Sequence, residues 1–156
     1  MWIALYAWLT WRMLNLMSII NLEYNVPGDN FRLAGEASCQ VKNKLKKLGY
    51  NMDAIRRVAI AMYEAEINMA IHANGGNIKV EIHPDKVNVT LADSGPGIKD
   101  LDKAMQEGYS TAPDNIRELG FGAGMGLPNM KKYTDELHID TEIGKGTTVY
   151  LSVHVK

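Results

Sequence analysis

The sequence predicts an α+β fold: a two-layer sandwich whose single mixed, mostly antiparallel sheet is covered on one face by helices. Three observations predict it. Helical period dominates the first half of the chain, between Phe31 and Asn74. Alternating apolar segments joined by tight turns dominate later. The length, 156 residues, suits one domain with a single core.

The elements follow in order. Ile19 to Val26 reads as a strand ended by Pro27-Gly28-Asp29. Phe31 to Leu48 carries apolar residues at Ala34, Ala37, Val41, Leu45 and Leu48, a helical spacing stopped by Gly49. Asp53 is placed to cap the next helix, which holds VAIAMYEAEINMAIHA (Val58 to Ala73) and stops at Asn74-Gly75-Gly76. NIKVEIHP and KVNVTLAD alternate as two strands around Pro84-Asp85, and Asp100 to Glu107 reads as a short helix. Gly108 to Ala123 is a polar loop; Met125 to Thr134 is a helix with Pro128 in its first turn, where a missing N–H does no harm. LHIDTEI and TTVYLSVHV close the chain as a hairpin around Gly144-Lys145-Gly146.

Residues 1–16 form an apolar extension ahead of the domain expected over 17–156. The uncharged run before Arg12 falls short of the roughly 20 apolar residues that span a bilayer. It also lacks a basic leader and a small-residue cleavage site, so it fits a signal peptide poorly. A start codon placed upstream of Met13 or Met17, an extra packing or dimer-forming helix, and a membrane anchor all stay open. A formal net charge of −1 gives no reason to expect nucleic acid or an anionic membrane as a partner. The single cysteine, Cys39, excludes an internal disulfide and fits a reducing compartment such as the cytoplasm. The four histidines lack metal-ligand spacing, which argues against a structural zinc. Lys42, Lys44, Lys46 and Lys47 read as a solvated helix face near a C-terminus.

Three segments carry chemistry. Glu64-x-x-x-Asn68 puts a carboxylate and an amide on one face of a very apolar helix, with His72 one turn on. DSGPGI, Asp93 to Ile98, follows a strand directly, and GFGAGMGL, Gly120 to Leu127, runs into a helix. Each alone has a plain alternative: a solvated helix edge, an ordinary turn, a common glycine-rich loop. Together they suit a nucleotide. Glycines feeding a helix N-terminus let backbone N–H groups approach phosphates. An Asp at a strand end can accept from an exocyclic amine beside glycines that admit a flat base. Asn offers a neutral oxygen to magnesium, and a neighbouring Glu can orient or deprotonate an attacking oxygen.

In this order, with the late GKGTT, the segments resemble the nucleotide-binding boxes of the GHKL ATPase superfamily (gyrase, heat-shock chaperone, histidine kinase and MutL type). The resemblance covers about Ile19 to Val155. It implies the Bergerat-type ATP-binding version of the sandwich, with ATP and Mg2+ as cofactors. Within the superfamily the small size resembles the serine kinases of bacterial partner-switching modules, anti-sigma factors and switch kinases. By that resemblance Glu64 is the general base or water-orienting carboxylate, and Asn68 ligates magnesium. Asp93 binds the adenine amine, with Gly95 and Gly97 beside the base and Thr147 supporting Asp93. Gly122, Gly124, Met125, Gly126 and Leu127 serve the phosphates, and Gly108 to Ala123 is a lid over ATP.

Histidine kinases of the superfamily usually have Asn where this chain has Glu64. Imidazole needs no base near neutral pH, whereas a serine hydroxyl does, so Glu64 favours a hydroxyl acceptor. The implied partner is a small STAS-domain anti-anti-sigma-type protein, with a sigma factor as a second kind. An ATP-gated module that sequesters its partner without kinase activity, a detached histidine-kinase catalytic domain and a stand-alone ATPase remain open alternatives. Two departures stand out. Glu66 sits between the box residues, read as a surface or paired carboxylate or a further metal contact. Ala112 stands where anti-sigma relatives tend to carry a basic residue, leaving Arg117, Lys131 and Lys132 as sources of charge for the phosphates.

Overall fold

The structure, a computed structural model, describes residues 19–28 and 33–155. The N-terminal extension and the expected start of the first helix at Phe31 lie outside the described residues. Element order is β1 (Ile20–Pro27), α1 (Glu36–Lys47), α2 (Met52–His72), β2 (Gly75–Ile82), β3 (Lys86–Ala92), α3 (Leu101–Ala104), α4 (Asp114–Glu118), α5 (Gly126–Tyr133), β4 (Glu136–Glu142) and β5 (Gly146–His154). The strands form one sheet in the order β1-β2-β3-β5-β4.

Every pairing among the described strands is antiparallel, so the sheet is simpler than the mixed one expected. The reason is the last strand. β3 and β4 run the same way and are joined by a long crossover, but β5 inserts between them and pairs with both. Register sets the faces. Ile78, Val80 and Ile82 of β2, Val87, Val89 and Leu91 of β3, and Val149, Leu151 and Val153 of β5 all point into the core. Val41 and Leu45 of α1, Val58 and Met62 of α2, and Met130 of α5 meet them from the helical layer. The other sheet face carries Asn77, Lys79, Glu81, Thr90, Tyr150 and His138, a polar alternation suited to water.

Several boundaries differ from the sequence reading. α2 is capped by Asn51, whose Oδ1 accepts from the Ala54 N–H at 2.7 Å. Asp53 sits inside the first turn and pairs with Arg56 at 3.6 Å. α3 spans only Leu101–Ala104, because Asp100 caps Lys103 and the chain then turns out at Met105. The expected loop over Gly108 to Ala123 contains α4, a short helix seated by buried Ile116.

Glu66 is the largest surprise. It is buried, 1% exposed, and belongs neither to the surface nor to a metal. Its two carboxylate oxygens accept the Ala37 N–H at 3.2 Å and the Ser38 N–H at 3.0 Å. α1 starts at Gly35, a left-handed residue without a side-chain cap, so a carboxylate from α2 supplies what the local sequence lacks. A Cβ at Gly35 would stand 2.8 Å from the Tyr63 ring, which lies one turn before Glu66 on α2. The helical layer is therefore joined at the start of α1.

Glu66→Ala leaves two N–H groups of α1 without their acceptor and is expected to cost on the order of 3 kcal/mol of unfolding free energy. Urea denaturation checks this, with Glu66→Gln, which keeps one acceptor, falling in between.

A second contact closes the far end of the domain. Asp135 accepts from the His154 N–H at 2.6 Å and pairs with Arg57 at 2.9 Å. The His154 N–H first, and the Arg57 guanidinium after it, hold the Asp135 carboxyl below its ordinary range against opposing desolvation. With the folded-state value depressed, this stabilisation is full above about pH 4 and is lost as pH falls through the lower folded-state value. Asp135→Asn is expected to flatten that part of the acid limb of a stability–pH curve.

Candidate nucleotide-binding site

α2 is a buried helix with one polar stripe. Ala61, Ala65, Met69 and Ala70 face the core, while Glu64 and Asn68 are half-buried along the wall of a cleft. This cleft has a volume of about 520 Å³, in the range of small-molecule sites. It runs between α2, the β3–α3 segment, residues 108–123 and the start of α5. The predicted site residues Glu64, Asn68, Asp93, Gly97, Gly122, Gly124, Met125, Gly126, Leu127 and Thr147 all line it. Gly95 does not.

One end of the cleft is built around Asp93. Its Oδ1 accepts the Gly95 N–H at 2.9 Å and the Thr147 N–H at 3.0 Å, while its own N–H bonds the Thr147 carbonyl at 2.9 Å. These bonds lock the carboxylate onto the first residues of β5. Oδ2 has no hydrogen-bond partner among the described residues and is left as an open acceptor on a residue that lines the cleft. Gly95 serves by supporting Asp93 and by packing: a Cβ there would lie 2.6 Å from the Ala73 Cβ. Gly97 holds φ +76 and presses on the Glu142 carbonyl, with its virtual Cβ 2.5 Å from that oxygen. Thr147 supports Asp93 through its backbone; its hydroxyl pairs with Thr141 at 3.0 Å, and Thr141 also accepts the Ile98 N–H at 2.8 Å.

The other end is built around Glu64, Asn68 and the start of α5. A Cβ on Gly126 would stand 3.1 Å from Asn68 Nδ2, 3.2 Å from Asn68 Oδ1 and 3.5 Å from Glu64 Oε2. A side chain there would press on the end of Asn68, so glycine lets the helix begin close to both without displacing them. The first N–H groups of a helix have no intrahelical acceptor; here they belong to Gly126 and Leu127, since Pro128 has none. Buried Leu127 and Met130 anchor α5. The Asn68 side chain makes no hydrogen bond among the described residues. Glu64 Oε1 accepts from Asn129 Nδ2 at 2.7 Å, a contact that sequence reasoning missed.

The two ends are ordered by α2 itself. Ala73 touches Gly95 beside Asp93, and Glu64 lies nine positions earlier, about 13 Å along the helix axis. That spacing suits a base at one end and phosphates at the other. His72, next to Ala73, lines the wall toward the Asp93 end; it is exposed at the surface, and partial desolvation of its ring lowers its pKa, which leaves it mostly neutral at pH 7.

Residues 108–123 form the roof, with Tyr109, Ser110, Thr111 and Gly120 to Ala123 on the cleft side. Its base is pinned by Gly108 N–H to Gly124 O at 2.9 Å. Ala112 is buried against Gly122, so it packs the roof and offers no contact to a phosphate. None of Arg117, Lys131 and Lys132 lines the cleft. Arg117 donates to the Ser110 carbonyl at 2.9 Å, and Lys132 stands 5.5 Å from the Tyr133 ring. Lys99 is the basic residue that does line it, a position the sequence did not single out.

The donors fit a magnesium nucleotide: an open carboxylate oxygen for an amine, helix N–H groups for phosphate, and the unpaired Asn68 amide for a cation held jointly with phosphate. No cluster of three His, Cys, Asp or Glu able to hold a metal by itself occurs among the described residues. No helix among them is long and apolar enough to cross a membrane.

Residues 53–156 match the family described as histidine kinase-, DNA gyrase B-, and HSP90-like ATPase. An anti-sigma F factor of Geobacillus kaustophilus is 33% identical over 70% of this chain and 75% of its own. One from Priestia megaterium is 30% identical over 87% and 92%. The serine/threonine-protein kinase RsbT of Bacillus subtilis is 31% identical over 69% and 78%. Among solved structures, the SiaB–SiaC complex from Pseudomonas aeruginosa matches with TM-score 0.57 and 16% identity, covering 98% of each chain. The RsbU and RsbW domains of a Mycobacterium tuberculosis protein match with TM-score 0.60 and 17% identity, over 87% of this chain and 32% of that one. These two likenesses concern the fold; the sequence matches and the cleft agree on the family, and the chain belongs to the histidine kinase-, DNA gyrase B- and HSP90-like ATPases.

Proposed function

We propose that this protein is a cytoplasmic, ATP- and Mg2+-dependent protein serine kinase of a partner-switching module, and that its substrate is a serine on a small STAS-domain antagonist protein. The observation that carries the reading is the meeting of Glu64, Asn68 and Gly126 at the end of the cleft away from Asp93. The relatives named as an RsbT kinase and as anti-sigma F factors support it.

In this reading Asp93 Oδ2 accepts the exocyclic amine of adenine, and Gly126 and Leu127 N–H groups hold phosphate oxygens. Asn68 contributes a neutral oxygen to magnesium, which when bound neutralises charge on the phosphates. Glu64 Oε2 takes the proton of the serine hydroxyl as its oxygen bonds the γ-phosphorus. The bond from that phosphorus to the bridging oxygen breaks, and ADP leaves with the electron pair. Lys99 and the N-terminus of α5 supply the positive field.

The anti-sigma names favour a second reading, an ATP-gated module that sequesters a sigma factor without transferring phosphate. Phosphate on the partner separates the two. Intact-mass spectrometry of STAS-domain proteins from the same organism, after incubation with the protein and Mg-ATP, is expected to find one added phosphoryl group that survives acid. An acid-labile group would instead indicate phosphohistidine. Tight ATP binding without transfer to the cognate partner would favour sequestration.

The two ends of the cleft are expected to separate in mutants. Glu64→Gln should abolish transfer while leaving the ATP dissociation constant within about threefold. Asp93→Asn, which turns an acceptor toward the amine into a donor, should weaken ATP binding by at least about 10-fold, read by calorimetry.

A further inference from the structure

A base must do more than lie near the reacting oxygen. Glutamate has flexible side-chain torsions, and a half-buried one loses its aim unless something holds it. Here the two Glu64 oxygens have different surroundings. Oε1 is taken by Asn129 Nδ2 at 2.7 Å, the one side-chain hydrogen bond between α2 and α5 among the described residues. Oε2 faces Gly126, 3.5 Å from where a Cβ would stand there, beside the Asn68 amide.

We propose that Asn129 is the positioning residue of the phosphoryl transfer: by fixing Glu64 Oε1 it keeps Oε2 aimed at the phosphate end of the cleft, where the hydroxyl proton is received. This rests on the assignment of Glu64 as the base. The residue type fits the task. A neutral amide donor orients a carboxylate without competing for its proton, whereas a lysine there would form an ion pair with it. The placement fits as well. The Asn129 N–H donates to the Met125 carbonyl at 2.9 Å, so the side chain leaves the first turn of the helix whose start would hold the phosphates. Buried Met130 follows it and fixes that turn. The base is thus tied to the phosphate-binding helix, and both are set by one element.

The test is a double-mutant cycle in the full chain, with Mg-ATP and the STAS-domain protein that gains phosphate in the mass measurement above, and transfer followed under single-turnover conditions. Asn129→Ala is expected to slow turnover about 10- to 100-fold while ATP affinity stays within about threefold. Asn129→Asp, which keeps the size but cannot donate as an ionised carboxylate and repels Glu64, is expected to slow it as well. Glu64→Gln should be slowed at least as far, and Glu64→Gln/Asn129→Ala no further than Glu64→Gln alone. Additive losses in the double variant, or normal turnover in Asn129→Ala beside a defective Glu64→Gln, would overturn the positioning role and leave the base assignment standing. Normal turnover in Glu64→Gln would sink the base assignment, and the proposal with it. A readout independent of activity is the 13C resonance of the Glu64 carboxyl. It is expected to shift in Asn129→Ala while other glutamates stay in place, and an unmoved resonance would contradict the contact itself.

Discussion

The structure depends on a helix that answers two polar demands from opposite sides. Within five positions of α2, Glu64 and Asn68 face the cleft while Glu66 turns roughly half a revolution away and caps α1 through Ala37 and Ser38. Both placements need α2 to keep one rotation about its axis. The caps set that rotation from the α1 side, and Met62, Val58 and Met69 set it from the sheet side. A carboxylate buried at a helix N-terminus is satisfied only in a narrow geometry, so Glu66 acts as a stop against rotation. Glu64 and Asn68 on the cleft wall inherit that precision.

Charge in the cleft is arranged economically. Arg117 is committed to the roof, Lys131 and Lys132 lie off the cleft wall, and His72 is neutral. The positive field along the cleft wall comes from Lys99 and the start of α5, and under the proposed function a metal at Asn68 would add to it. Asp93 uses the opposite device. By binding two backbone N–H groups through Oδ1 it becomes rigid while Oδ2 stays unbonded among the described residues, so under the proposed function an adenine amine would meet an acceptor already held in place.

Much of this was legible in the sequence. The Glu64/Asn68 spacing, DSGPGI after a strand and the glycine run into a helix each placed residues on the cleft wall, because they encode local geometry. What escaped was long-range. The acceptor for the start of α1 comes from 28 or 29 residues away, and the donor to Glu64 from 65 away, and no periodicity reports such pairs. Asn51 and Asp53 are both good caps, and only the turn geometry chose between them. The strand pattern could not show that β5 inserts between β3 and β4, so the sheet was expected to be mixed. The glycines were read as making room for phosphate. At Gly122 and Gly124 the close neighbours are Ala112, Gly108 and Tyr109 of the chain itself, and Gly126 alone of these three abuts Glu64 and Asn68.

A crystal structure of the full chain with magnesium and a non-hydrolysable ATP analogue would show directly how the two ends of the cleft are used. The adenine amine is expected within hydrogen-bonding distance of Asp93 Oδ2, and the γ-phosphate between the start of α5 and Glu64 Oε2. A base bound at the Glu64 end, or a triphosphate that leaves Asn68 and Gly126 untouched, would contradict this arrangement.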